Sequence, residues 1–141
     1  MSALVTVPFK NQLGEIERLG QVVTEFAQHH HWSPQALFEV NVSLEEILTN
    51  VISYGYEDNR EHEIVLRLAF ADGEMTAEIE DDGRPFNPLE MTEPDINKPL
   101  EERQVGGLGI YLVRKFMTNL AYQRHEGKNR LTLKKKIATE E

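Results

Sequence analysis

What most constrains this chain is the order in which two kinds of apolar spacing follow one another. Apolar residues recurring every three or four positions describe a helix, and strict alternation describes a half-buried strand. Val5-Thr6-Val7-Pro8-Phe9 reads as a short strand, at a sheet edge because proline lacks the amide a central strand needs. Leu13, Ile16, Leu19, Val22, Val23, Phe26 and Ala27 then predict a helix over 11–30. Ser33-Pro34 starts a second helix, with serine as cap and proline in the first turn. Its stripe of Leu37, Val40, Leu44, Ile47, Leu48 and Val51 runs to about Tyr54, where Gly55 stops it. Residues Glu63 to Ala71 alternate, Asp72-Gly73 is a two-residue turn, and Met75, Ala77 and Ile79 point inward on the return strand. Ile110, Val113, Phe116 and Met117 predict a short helix over 110–117. Strands over 120–126 and 129–137 then close around Gly127-Lys128.

The chain has 141 residues, 40% of them hydrophobic, which suits one domain over 1–141 with one core. It has no cysteine, so disulfides and thiolate metal sites are excluded. The first residues carry neither a charged leader nor a long apolar run, and no stretch approaches a membrane span. The expectation is a cytoplasmic protein with no membrane partner. His29-His30-His31 cannot all face one metal from a helix and read as a helix tail.

The net charge of −9 is unevenly spread. Residues 1–102 hold 21 acidic and 6 basic side chains, whereas 103–136 hold nine Lys/Arg and one Glu. The acidic excess disfavours nucleic acid as a direct partner. The basic third suits a polyphosphate ligand or a charged protein partner, or it is a solvated surface with Lys134-Lys135-Lys136 on an edge strand. Residues 84–105 hold four of the six prolines and little periodicity. A loop of that length inside a small domain is usually functional or disordered.

Three short motifs carry chemistry. Glu46 and Asn50, four apart on the second helix, share a face with Tyr54, away from the apolar stripe. One reading is a solvated polar face. The other is a carboxylate that accepts a proton beside a neutral oxygen that holds Mg²⁺. Strand parity puts Asp81 on the side of Met75, Ala77 and Ile79, opposite Glu78, Glu80 and Asp82. A core-side carboxylate needs a donor. The amino group of adenine is one, and the alternative is a turn aspartate capping the bend at Gly83. Glycine there would let the backbone approach a flat base. Gly106-Gly107-Leu108-Gly109 opens the last predicted helix, either as a hinge or as a set of backbone amides for phosphate. It is neither a P-loop, since no Gly-Lys-Ser/Thr follows, nor a dinucleotide fingerprint, since no strand directly precedes it.

Together these motifs resemble the three nucleotide-binding boxes of the Bergerat-fold ATPases and kinases. Within that superfamily, Ser43-Leu44-Glu45-Glu46-Ile47-Leu48-Thr49-Asn50, with Tyr54-Gly55-Tyr56, is similar to the bacterial anti-sigma-factor serine/threonine kinases. So are Asp81-Asp82-Gly83-Arg84-Pro85-Phe86-Asn87-Pro88 and Gly106-Gly107-Leu108-Gly109-Ile110-Tyr111-Leu112-Val113. The resemblance covers about residues 5–137. It implies an α/β (α+β) two-layer sandwich, a mixed and mainly antiparallel sheet with three helices on one face. It implies ATP and Mg²⁺ as cofactors, with Glu46 as catalytic base, Asn50 as metal ligand, Asp81 as adenine reader and Gly83 as its companion. Gly106, Gly107, Leu108 and Gly109 would form the phosphate loop and 84–105 the lid. Thr132 would lie near the adenine, and Lys98 and Arg103 would either reach phosphates or face solvent.

The implied function is phosphorylation of an anti-sigma-factor antagonist and sequestration of a sigma factor, by a homodimer. Two alternatives stay open: an ATP-binding partner switch without kinase activity, and a regulator of a different partner. Pro85 stands where the superfamily usually has a second glycine, a departure shared by the serine-kinase branch. None of His29, His30, His31, His62 or His125 sits in the helical context a histidine autokinase needs.

Overall fold

The computed structural model describes residues 3–90 and 107–139. The elements run β1 (Ala3–Lys10), α1 (Glu15–His29), α2 (Pro34–Tyr54), β2 (Glu63–Ala71), β3 (Glu74–Asp81), a single 3₁₀ turn (Pro88–Glu90), α3 (Gly107–Phe116), β4 (Asn119–His125) and β5 (Lys128–Lys136). Ser33 caps α2 as expected: its Oγ accepts the Ala36 amide at 3.1 Å, with Pro34 in the first turn. α1 starts four residues later than the spacing suggests, because 11–14 form turns before Glu15.

The described strands make one sheet of order β1-β2-β3-β5-β4, and every neighbouring pair is antiparallel. The expected mixed sheet is therefore corrected to a wholly antiparallel one among the described strands. Two helices, not one, join β1 to β2, so the chain re-enters the sheet reversed. Asp72-Gly73 is the tight turn between β2 and β3, with φ of 54° and 77°. The second hairpin turns at Glu126-Gly127, φ 52° and 78°, one residue earlier than the composition suggests. Pro8 lies on an edge strand as expected, but Lys134-Lys135-Lys136 does not. β5 sits between β3 and β4, and Lys134 is paired on both sides, with Thr76 and with Asn119.

One core fills the space between the sheet and the helices. α2 contributes Val40, Leu44, Ile47, Leu48 and Val51, and the sheet contributes Ile64, Leu66, Leu68, Met75, Ala77, Ile79, Leu131 and Leu133. Each fully buried side chain of this size stabilises the fold by roughly 1.5–3 kcal/mol. α1 and α3 pack on opposite flanks of α2. The other sheet face is charged: Arg67 pairs with Glu78 at 2.7 Å and Arg130 with Glu80 at 2.8 Å. The Arg130 bond holds the Glu80 carboxyl below its usual range. α2 is thus the central helix, with its far end reaching the end of β3.

Candidate functional site

Asn50 is buried, 2% exposed, so the Glu46–Asn50 row is not a solvated polar face. Its Nδ2 donates to both the Glu46 backbone oxygen and Glu46 Oε1, each at 2.8 Å. Both bonds come from the nitrogen, which turns the amide oxygen away from Glu46. The Glu46 carboxyl also reaches α3. A Cβ built on Gly109 would overlap Glu46 Cδ, Oε1 and Oε2 together. Glu46 therefore rests against α3 at Gly109. α3 is described from Gly107, so Gly107, Leu108 and Gly109 belong to the helix instead of preceding it.

Asp81, 4% exposed, closes β3 on the core side, as strand parity predicts. Its Oδ1 accepts the Gly83 amide at 2.9 Å and Asn129 Nδ2 at 3.0 Å. Among the described residues both bonds fall on one oxygen, which leaves Oδ2 for a further donor. Burial pushes the Asp81 carboxyl up from its usual range, against the pull of Asn129 and the Gly83 amide. The turn-capping role and a ligand role are thus compatible, one on each oxygen.

Gly83 has a reason for being glycine that composition did not reveal. A Cβ there would overlap the carbonyl oxygen of Gly55, at the end of α2. The Arg84 amide donates to that same oxygen at 2.8 Å, and Arg84 Nε donates to the Tyr54 carbonyl at 2.6 Å. The loop after β3 is thereby fastened to the end of α2. Glu46 lies nine residues back along the helix, about 13 Å at 1.5 Å per residue. That is the scale of an extended nucleoside triphosphate.

Asn129 is the site residue the sequence reading missed. Buried at the start of β5, it bonds Asp81 and donates to the Arg84 carbonyl at 2.8 Å. Its Oδ1 accepts from Arg124 Nη1 at 3.1 Å, from the Phe86 amide and from the Tyr122 hydroxyl. Only the pairing of β3 with β5, which sets Asn129 opposite Asp81, shows it. The same register removes Thr132 from the site. Thr132 pairs with Glu78, on the sheet face turned away from Asp81 and the helices. Lys98, Arg103 and Gly106 lie outside the described residues, as does most of the expected lid. Its first part is structured: Asn87 bonds the Leu89 and Glu90 amides through a 3₁₀ turn, and Arg114 of α3 donates to the Leu89 carbonyl.

Beside Asp81 lies a titratable cluster. His62 bonds Asp58 through Nε2 at 2.8 Å and faces Asp82 Oδ1 through Nδ1 at 3.2 Å. The Asp58 bond, helped by Asp82, holds the imidazolium form and raises the His62 pKa. Tyr56 stacks on that ring at 4.4 Å. Burial and the Asp81 and Asp82 charges push its phenol up.

A helix-borne carboxylate–amide pair, a core-side aspartate at a strand end and a glycine-containing helix start define a nucleotide-binding α/β sandwich. The family described as "Histidine kinase-like ATPase domain" matches residues 9–135. The chain belongs to that family, and it is an ATP-binding domain. It is 32% identical over 114 residues to the serine/threonine-protein kinase BtrW of Bordetella bronchiseptica, covering 81% of this chain and 80% of that protein. It is 27% identical over 124 residues to the anti-sigma F factor of Clostridium acetobutylicum, with 82% and 81% covered. Among solved structures, the RsbU and RsbW domains of a Mycobacterium tuberculosis protein share the fold at a TM-score of 0.70 and 13% identity. That match covers 96% of this chain and 32% of that one. No helix among the described residues is long and apolar enough to cross a membrane.

Proposed function

We propose that this chain is an ATP- and Mg²⁺-dependent serine/threonine protein kinase that acts in partner switching. It phosphorylates a small antagonist protein and, as a homodimer in the cytoplasm, sequesters the sigma factor that the antagonist would release. The observation that carries the reading is Glu46, held between Asn50 and Gly109 of α3. A module that only binds nucleotide needs no carboxylate there.

Asp81 Oδ2 accepts a hydrogen from the adenine amino group, while Asn129 and the Gly83 amide fix Oδ1. The amides of Gly107, Leu108 and Gly109 serve the phosphates. Glu46 takes the proton of the acceptor hydroxyl as the new oxygen–phosphorus bond forms and the diphosphate oxygen departs. The donor set suits Mg²⁺, which keeps one or two protein ligands beside phosphate oxygens and water, and Asn50 offers one neutral oxygen. When bound, the ion neutralises charge on the transferring group.

The test is transfer of labelled phosphate from ATP to a candidate antagonist, comparing the natural chain with Glu46→Gln. The reading expects transfer by the first and almost none by the second. Tight ATP binding with no transfer to any cognate partner would replace the kinase by a pure switch.

A further inference from the structure

We propose that Gly109 is a positioning residue for Glu46: its missing side chain is the seat of the Glu46 carboxyl. The proposal rests on the assignment of Glu46 as the base. In a phosphate loop, glycine is usually explained by backbone freedom or by room for the ligand. Backbone freedom does not apply here. The described glycines with positive φ are Gly73 and Gly127, both in hairpin turns, whereas Gly109 sits inside α3. In a helix glycine is disfavoured against alanine, so local conformation argues for replacing it.

Close approach does apply, and the neighbour is the protein's own carboxylate. All three terminal atoms of Glu46 occupy the space a Gly109 Cβ would take. From the other side Asn50 Nδ2 holds Oε1 at 2.8 Å. Glu46 is therefore clamped between an amide on its own helix and a bare Cα on the next one. α3 packs directly on α2, so any shift of α3 at Gly109 moves the seat and the base with it. Gly109 thus acts through Glu46.

The test is Gly109→Ala in the full chain, read as separate affinity and rate. Misplacing a reacting group by about an ångström costs as much as 100-fold, so turnover at saturating ATP should fall by roughly 10-fold or more. ATP affinity should fall by much less than turnover does, because the far end of the Glu46 side chain yields to the new Cβ more easily than the α3 backbone. The reverse split, weak binding with full turnover, would make Gly109 a ligand cradle and overturn the proposal.

Glu46→Asp shortens the side chain by one methylene and vacates the seat. Adding Gly109→Ala to it should then cost less than about 2-fold more, and independent, multiplying losses would contradict the shared seat. Unfolding of Gly109→Ala that Glu46→Asp does not reverse would also contradict it. A third readout needs no activity: the Asn50 side-chain amide signals in an ¹⁵N spectrum. They should move in Gly109→Ala towards their positions in Glu46→Ala, and unmoved signals sink the proposal. If the natural chain transfers no phosphate, the kinase reading fails while this spectrum still decides the seat.

Discussion

The two ends of the site are built differently. At the Asp81 end, one carboxylate is tied to β5, to the loop after β3 and, through Asn129, to Tyr122 and Arg124 on β4. At the Glu46 end the carboxylate depends on two helices, an amide on one and a bare Cα on the other. A group held by several sheet strands is fixed before ligand arrives, so changing it is felt in affinity and stability. A group held between two helices follows their spacing, so changing it is felt in rate.

The largest effect expected from this division is kinetic. Glu46→Gln should lower transfer by about 10²–10⁴, the usual range for a general base, with ATP affinity changed only a few-fold. Parallel kinetic and titration measurements check this, and an equal loss of affinity would erase the distinction between the ends. Next comes Asn129→Ala. It removes partners from a buried carboxylate and from the Arg84 carbonyl, at a cost of about 2–3 kcal/mol by chemical denaturation. A change below about 0.5 kcal/mol would show that the Asp81 end is not held as described.

The smallest effect concerns His62, whose pKa is raised in the folded chain. Its partners Asp58 and Asp82 stabilise the imidazolium, so the contribution is complete below about pH 6.5, the ordinary histidine value. It fades as pH rises through the higher folded value. His62→Gln should therefore flatten stability against pH between about 6.5 and that higher value. Identical slopes in the two proteins would remove His62 from the account.

The architecture was legible wherever the information was local. The Ser33 cap, the Asp72-Gly73 turn, the Glu46–Asn50 row and the inward parity of Asp81 follow from spacing along one element. What failed depended on which strands become neighbours. Lys134 to Lys136 looked like an edge because nothing local places β4 outside β5, and Thr132 entered the site for the same reason. Asn129 went unnoticed because its partner is 48 positions away in sequence. Gly83 reads locally as room for a flat base, and only packing adds the second reason for glycine there, the Gly55 carbonyl. The glycines before Ile110 looked like a loop, yet Gly107 to Gly109 are helical, since packing of α3 on α2 outweighs their weak propensity.

The division between the ends is tested most directly by Asp81→Asn, measured in a single turnover at saturating ATP. Asparagine can still accept from Gly83 but no longer offers a charged acceptor to adenine. The account predicts affinity weakened by about 10- to 100-fold, the worth of a charge-assisted hydrogen bond. It also predicts a transfer step within about 3-fold of the natural chain, because 1.4 kcal/mol separates each tenfold in rate and none of the Glu46 contacts is touched. A transfer step that collapses with saturated enzyme, or an affinity that does not change, would contradict it.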